Sequence, residues 1–183
     1  MDSQEEVLFD EWLSFLKSKT YINNYFYNTD EKFTIVPAQE FCLNIKSKKN
    51  CKTLFQPWTY KYDFKIIWNE KSLDLFYNNI DDKLYKKQRY FLAQDNITYV
   101  DVKGVYTHRN RITDITFPLV RKILLFNNKI YIQKVVPLIL FKKLFAVDRY
   151  LMDDNIYKKG HKKGDLKQKL NNFDNFLKNE YKK

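Results

Sequence analysis

Apolar side chains recur with helical spacing at the start of the chain. Ser3 is a residue type that caps helices, and acidic residues in the first turn suit the positive end of the helix dipole. The pattern therefore predicts a helix over residues 3–18. Its apolar positions are Leu8, Phe9, Trp12, Leu13, Phe15 and Leu16.

Glu5 breaks the polarity of this helix. At about 100° per residue, the mean direction of the apolar side chains falls almost on Glu5, whereas Glu6 and Glu11 point well away from it. A carboxylate directed at a core needs a partner, because the burial of an unpaired charge is unfavourable. The alternative is equally open: Glu5 lies in the first turn and can bend into water.

Strand patterns occupy much of the middle of the chain. Aromatic and β-branched residues alternate with polar ones from Tyr21 to Lys46, which predicts short strands or hairpins. Residues 46–52 contain four lysines with Ser and Asn, and they indicate a solvated turn that can touch phosphate. Residues 60–68 (YKYDFKIIW) and 97–102 predict two strands, whereas residues 69–98 have the pattern of a largely helical insertion.

Helix and strand alternate again further along the chain. A polar turn at 107–111 leads to a predicted helix over 113–127, which Pro118 opens in its first turn. Residues 129–136 (KIYIQKVV) then predict a strand. Helices and strands in this order predict an α/β fold.

The length and composition divide the chain into two parts. We predict one domain over residues 1–150, followed by a basic tail over residues 151–183. The tail contains an amphipathic helix that Gly164 and Asp165 cap. This helix either docks on the domain or acts as an arm for a partner or a nucleic acid.

The chain has 183 residues and carries 33 Lys and Arg against 22 Asp and Glu, a formal net charge of +11. With 44% hydrophobic residues, this composition describes a folded protein with a basic surface rather than a disordered basic tail. The charge favours a polyanionic partner, with nucleic acid before a membrane, while solubility alone is the alternative.

Glycine, histidine and cysteine are too scarce for several kinds of site. Three glycines cannot build a Walker or dinucleotide-binding loop, which excludes ATPases and dehydrogenases of those classes. Two isolated histidines and two cysteines cannot supply a four-ligand zinc site. Any metal would therefore be held by oxygen, which favours Mg²⁺ over Zn²⁺.

The cysteines and the N-terminus bear on location. Cys42 and Cys51 stand nine residues apart without a second pair, which predicts reduced thiols and an intracellular protein. The acidic start and the lack of an apolar run near ~18 residues predict neither a signal peptide nor a membrane span. We therefore expect a protein that is not secreted.

Two acids and a lysine on neighbouring predicted strands form the main candidate site. Asp101 and Lys103 share a face of one strand, and Asp63 on the adjacent strand is placed to meet them. Two carboxylates can hold Mg²⁺ while an ammonium offsets charge on a phosphate, which is the chemistry of phosphodiester hydrolysis. A structural ion pair is the alternative for the same three residues.

These segments resemble the PD-(D/E)XK nuclease superfamily, and most of all its small phage-encoded members that are compared with Holliday-junction resolvases. The resemblance covers about residues 3–136 and is strongest in YKYDFKIIW, in YVDVKG and in KIYIQKV. It implies a restriction-endonuclease-like mixed central sheet flanked by helices. Tyr62 stands where the superfamily name has Pro, and Asp101 where Glu is commoner.

The resemblance also implies roles for individual residues. Asp63, Asp101 and the carbonyl of Val102 would bind Mg²⁺, with Mn²⁺ as a substitute, and Lys103 would be the catalytic lysine. Glu5 would be an additional acidic ligand, with Glu6 as the fallback. Basic residues of the following turn and helix would contact nucleic acid, namely Arg109, Arg111, Arg121 and Lys122.

The resemblance implies an Mg²⁺-dependent DNA endonuclease, structure-selective and encoded by a phage or mobile element. Such an enzyme would serve DNA recombination, repair or processing in the cytoplasm of a bacterial host, and a homodimer would suit the cutting of two strands. The alternatives are a catalytically silent nucleic-acid-binding or virion-associated protein on the same fold, and a basic structural protein. All three are compatible with the basic, aromatic-rich composition.

Overall fold

The structure is a computed structural model that describes residues 3–45, 48–80, 90–104, 111–147 and 170–180. The α-helices in these ranges are α1 Gln4–Ser18, α2 Arg111–Asn128, α3 Pro137–Lys143 and α4 Phe173–Glu180, and Glu70–Ser72 form a short 3-10 helix. The strands are β1 Ile22–Tyr27, β2 Phe33–Val36, β3 Gln39–Ile45, β4 Lys48–Phe55, β5 Trp58–Tyr60, β6 Phe64–Trp68, β7 Tyr77–Asn79, β8 Phe91–Ala93, β9 Ile97–Val102 and β10 Ile132–Val135.

A mixed four-stranded sheet forms the centre of the molecule, in the order β1-β6-β9-β10. Strand β6 pairs antiparallel with both β1 and β9, whereas β10 pairs parallel with β9. The predicted α/β class is therefore confirmed. Three further ladders are two-stranded: β2 with β5, β3 with β4, and β7 with β8.

Helix α1 covers one face of the sheet and supplies much of the core. Ser3 caps it by accepting a hydrogen bond from the backbone N–H of Glu6, as the sequence predicts. The fully buried rings of Phe9 and Trp12 pack against the sheet, where Phe9 meets Phe64 edge to face at 5.1 Å. Strand β6 alternates buried and half-buried residues, so Phe64, Ile66 and Trp68 point towards α1.

Helix α2 and the ribbon β2–β5 lie at a second, smaller core. Val120 and Leu124 of α2 pack there with Ile132 of β10, together with Phe33 and Tyr62. The predicted helix over 113–127 is present, but Pro118 is its eighth residue rather than part of its first turn. The helix continues through the proline, which lacks the N–H for one backbone hydrogen bond.

The predicted helical character of residues 69–98 is wrong for the described part of this segment. It contains a single 3-10 turn and the short parallel strands β7 and β8, while residues 81–89 lie outside the described ranges. Phe76 and Tyr77 are buried and stack on Trp68, so these adjacent aromatic residues belong to the core without forming a helix. Asp74 adopts a positive φ of 60°, which breaks a helical course.

Two predictions near the cysteines are also wrong. Residues 48–52 belong to β4 and pair with β3 instead of forming a turn. Cys42 and Cys51 are directly opposite each other in this ladder and form a disulfide, so the prediction of reduced thiols does not hold. The antiparallel register of β3 and β4 brings the two cysteines together, so this disulfide forms without a second cysteine pair.

The C-terminal helix α4 packs into the core that α1 and the central sheet form. Phe176 of α4 is buried and stacks on Phe76 at 5.5 Å, which is the first of the two alternatives that the sequence left open. The predicted cap at Gly164 and Asp165 lies outside the described residues. None of the described helices is both long and apolar enough to cross a membrane.

Candidate metal site

Asp63 and Asp101 meet where strand β6 begins and strand β9 ends. Asp63 directly precedes β6, and its N–H donates to the carbonyl of Val100 at 3.0 Å. Oδ2 of Asp63 accepts a 2.7 Å hydrogen bond from the N–H of Val102. The backbone and the side chain of Asp63 thus bind on either side of Asp101, as the sequence analysis predicted for neighbouring strands.

Lys103 lies at the same place. Its Nζ is 2.8 Å from Oδ2 of Asp101, in agreement with two residues that share a strand face. The Asp101 side chain is 5% exposed and that of Lys103 is 30% exposed, so the carboxylate is buried while the ammonium still reaches solvent. The three residues singled out in the sequence therefore converge.

The charge of this cluster shifts the ionisation of Asp63. The pKa of Asp63 is raised to about 6, first by burial and second by the negative charge of Asp101. The Val102 hydrogen bond and Lys103 act in the opposite direction, but they only partly offset these effects. The site therefore holds more negative charge than its own residues neutralise, and a bound cation would relieve it.

Tyr60 is a site residue that the sequence analysis missed. Its pKa is raised well above the usual value, first by burial and then by the nearby Asp101 and Asp63 carboxylates. Within the described residues, the buried Tyr60 hydroxyl has no hydrogen bond of ordinary geometry, and the buried Oδ2 of Asp101 has the Lys103 ammonium as its ion-pair partner. Tyr60 precedes Asp63 by three residues in YKYDFKIIW, where no pattern distinguishes it from other aromatic residues.

Both acids of the first turn of α1 lie at this end of the sheet. The Glu5 carboxylate lies over Gly104, since a Cβ at Gly104 would be only 2.8 Å from Oε1 of Glu5. The charge of Glu6 contributes to the raised pKa of Asp63, and its Oε2 accepts a 2.7 Å hydrogen bond from the hydroxyl of Tyr27. Glu5 thus approaches the motif strand, and Glu6 is the acid with a direct electrostatic effect on Asp63.

The donor atoms of the site fit a hard cation better than zinc, because they are carboxylate oxygens of Asp63 and Asp101. However, among the described residues no third acidic ligand forms with Asp63 and Asp101 a group whose members all lie within 4.8 Å of one another. In the described ranges, the one group of three acidic or sulfur ligands within 4.8 Å of one another is Glu40 with Cys42 and Cys51. Its cysteines are joined as a disulfide and cannot act as thiolate ligands.

The structure describes the side chains of two of the four basic residues predicted to bind nucleic acid, Arg121 and Lys122. Arg121 stacks over the Tyr131 ring at 5.2 Å and donates to its hydroxyl at 3.3 Å, whereas Lys122 is exposed. Arg109 lies outside the described residues, as does the side chain of Arg111 at the start of α2. Lys134 was not predicted; it lies beside Asp101 in the register of β10 and β9.

The comparisons with known proteins give no match to a protein family, to a curated protein or to a solved structure.

Proposed function

We propose that this protein is a metal-dependent DNA endonuclease whose active site contains Asp63, Asp101 and Lys103. The observation that carries the proposal is the convergence of two carboxylates and one ammonium at one end of the β6–β9 pair. The raised pKa of Asp63 supports it, because perturbed carboxylates in such clusters are typical of functional sites. The mixed sheet between α1 and α2 is compatible with the nuclease-like arrangement that the motifs imply.

Each residue has a distinct task in this proposal. Asp63 and Asp101 hold Mg²⁺ or Mn²⁺, together with the Val102 carbonyl and an acid from α1. When bound, the metal supplies Lewis-acid stabilisation of the phosphate and makes water more acidic. The Val102 N–H orients the Asp63 carboxylate before any ligand arrives. Lys103, held by Asp101, places positive charge where phosphate oxygens gain negative charge.

DNA is the proposed substrate because the chain carries a net charge of +11, which favours a polyanion. The motif resemblance adds the finer parts of the proposal. These are structure-selective cutting, a role in phage or mobile-element recombination, repair or processing, and a homodimeric enzyme.

A catalytically silent nucleic-acid-binding or virion-associated protein is the second candidate. The observation in its favour is the open cluster, in which the described carboxylates do not come together as three ligands. In this case the Lys103–Asp101 pair would serve as a structural ion pair. The basic surface would then act through phosphate contacts alone.

Cleavage assays separate the two candidates. The full-length protein is incubated with labelled linear duplex, single-stranded and four-way-junction DNA, in Mg²⁺, Mn²⁺ or EDTA. We expect metal-dependent cleavage that Asp63→Asn, Asp101→Asn and Lys103→Ala each reduce by at least a hundredfold. Asp174→Asn, at an exposed carboxylate of α4, is the matched control and should cut like the wild type. DNA binding without metal-dependent cleavage of any substrate would favour the silent protein.

A further inference from the structure

Strands β3 and β4 form a hairpin that pairs with no other described strand. We call residues Gln39–Phe55 the ribbon arm. An isolated two-stranded ribbon is only marginally stable in water, so it needs a crosslink or a partner. The disulfide between Cys42 and Cys51 is such a crosslink, and it leaves the outward-facing side chains of the arm to be explained.

The ribbon arm continues from the β2–β5 ladder, which carries Tyr60 of the candidate metal site. The ladder β2–β5 pairs Phe33 with Tyr60, and the Tyr60 hydroxyl lies by Asp101. Pro37 and Pro57 separate this ladder from the arm, since neither can donate a backbone hydrogen bond. From Gln39 to Ile45 the arm spans about 20 Å, which corresponds to roughly six nucleotide steps of DNA.

Large apolar side chains of the arm face solvent. Phe41 is 50% exposed, Leu54 58% and Phe55 68%. The register shifts between Gln39 and Glu40, which leaves Leu54 as the additional residue of a β-bulge. Because the ribbon pairs with no other described strand, both of its faces are open, and the consecutive residues Leu54 and Phe55 are both exposed. Exposed aromatic residues clustered in this way mark binding surfaces.

Positive charge accompanies these rings. The segment 39–55 contains four lysines and one glutamate. Phe41 and Lys52 are direct partners in the antiparallel ladder, so an exposed ring and an exposed ammonium share one face of the ribbon. Single-stranded nucleic acid needs this combination, because bases stack on aromatic rings while lysines neutralise the phosphates.

We propose that the ribbon arm binds unpaired bases of the DNA that the metal site cuts. For the nature of the ligand, this inference rests on the proposed function. The arm stacks bases on Phe41 and Phe55 and pairs Lys52 with phosphate. The protein consequently prefers single-stranded or branched DNA to a continuous duplex.

DNA binding without cleavage tests the arm. The full-length Asp101→Asn protein, in EDTA, is titrated against fluorescent single-stranded, duplex and four-way-junction DNA, and anisotropy gives the Kd. Adding Phe41→Ala and Phe55→Ala should weaken single-strand binding at least tenfold, with a smaller effect on duplex. Adding Lys52→Gln should reduce the slope of log Kd against log salt by roughly 0.7.

Two exposed residues outside the arm provide the controls. Phe126→Ala, at a ring of α2 that is 77% exposed, and Lys178→Gln on α4 should each change the Kd by less than twofold. Circular dichroism and thermal melting confirm that every variant is folded. An unchanged Kd in the arm variants, or an equal loss in the controls, would overturn the proposal.

Other occupants give other results. Binding of the arm to vesicles of phosphatidylserine and phosphatidylcholine but not to DNA would assign it to membranes. A wild-type dimer that Phe41→Ala and Phe55→Ala convert to a monomer, with DNA affinity unchanged, would assign it to self-association. Loss of binding in the arm variants of a protein that never cuts DNA would retain the arm and reject the nuclease. Metal-dependent cutting by the wild type, with unchanged DNA binding in the arm variants, would retain the nuclease and reject the arm.

Discussion

The backbone amide of Val102 donates a 2.7 Å hydrogen bond to the carboxylate of Asp63, which is 39 residues earlier in the chain. The bond connects the start of β6 with the end of β9 and fixes the Asp63 carboxylate beside the buried Asp101. Burial and the charge of Asp101 nevertheless raise the pKa of Asp63 to about 6. The site is therefore oriented by hydrogen bonds but electrostatically unfavourable without a cation.

The raised pKa predicts that the contribution of Asp63 to the stability of the metal-free protein falls as the pH rises. Between about pH 4 and 6, native Asp63 binds more protons than unfolded Asp63, so its contribution to the free energy of unfolding falls with increasing pH. Asp63→Asn keeps an acceptor for Val102 and should raise stability at pH 7.5 by about 1–2 kcal/mol, with little change at pH 4. Urea unfolding in EDTA measures this. Equal pH profiles for the two proteins would contradict it.

Added Mg²⁺ should stabilise the wild-type protein through Asp63 and Asp101. A ligand that binds only the native state at 100 times its Kd adds about 2.7 kcal/mol to the free energy of unfolding. Thermal melting with and without Mg²⁺ should show this gain, and Asp101→Asn should abolish it. Glu40→Gln is the control, because the disulfide removes the cysteines near Glu40 as ligands. A loss in Glu40→Gln would relocate the metal.

Gly104→Ala tests which acid of α1 serves the site. The added Cβ would lie 2.8 Å from Oε1 of Glu5 and displace that flexible carboxylate, so stability should change by less than about 1 kcal/mol. If Glu5 is a ligand, the affinity for Mg²⁺ measured by calorimetry falls at least fivefold. The double variant with Glu5→Gln should show no further loss. Full affinity in Gly104→Ala would favour Glu6 instead.

Reduction of the Cys42–Cys51 disulfide should loosen the ribbon arm and leave the rest of the molecule intact. Chain-entropy arguments assign about 3 kcal/mol to a crosslink that closes a loop of this length. Because β3 and β4 pair only with each other among the described strands, the loss stays local. Hydrogen exchange should become faster in residues 39–55 of Cys42→Ser/Cys51→Ser. Faster exchange throughout β6 and β9 would show that the arm supports the sheet.

Local signals were sufficient for several elements. The cap at Ser3 and the spacing of apolar residues predicted α1, and β-branched and aromatic runs predicted β6 and β9. Asp63, Asp101 and Lys103 could be predicted because each follows from the position of its strand. The order of these elements also predicted the α/β class, since helices and strands alternate in the chain.

Contacts between distant segments decided the remainder. Short strands such as β7 depend on partners that periodicity does not show, and the pairing of Cys42 with Cys51 depends on the register of β3 and β4. Tyr60 belongs to the site because the fold buries its hydroxyl beside Asp101. The sequence by itself therefore determined α1, β6 and β9 and the two acids and the lysine at the site. The tertiary structure decided which groups meet, because desolvation and charge act through space rather than along the chain.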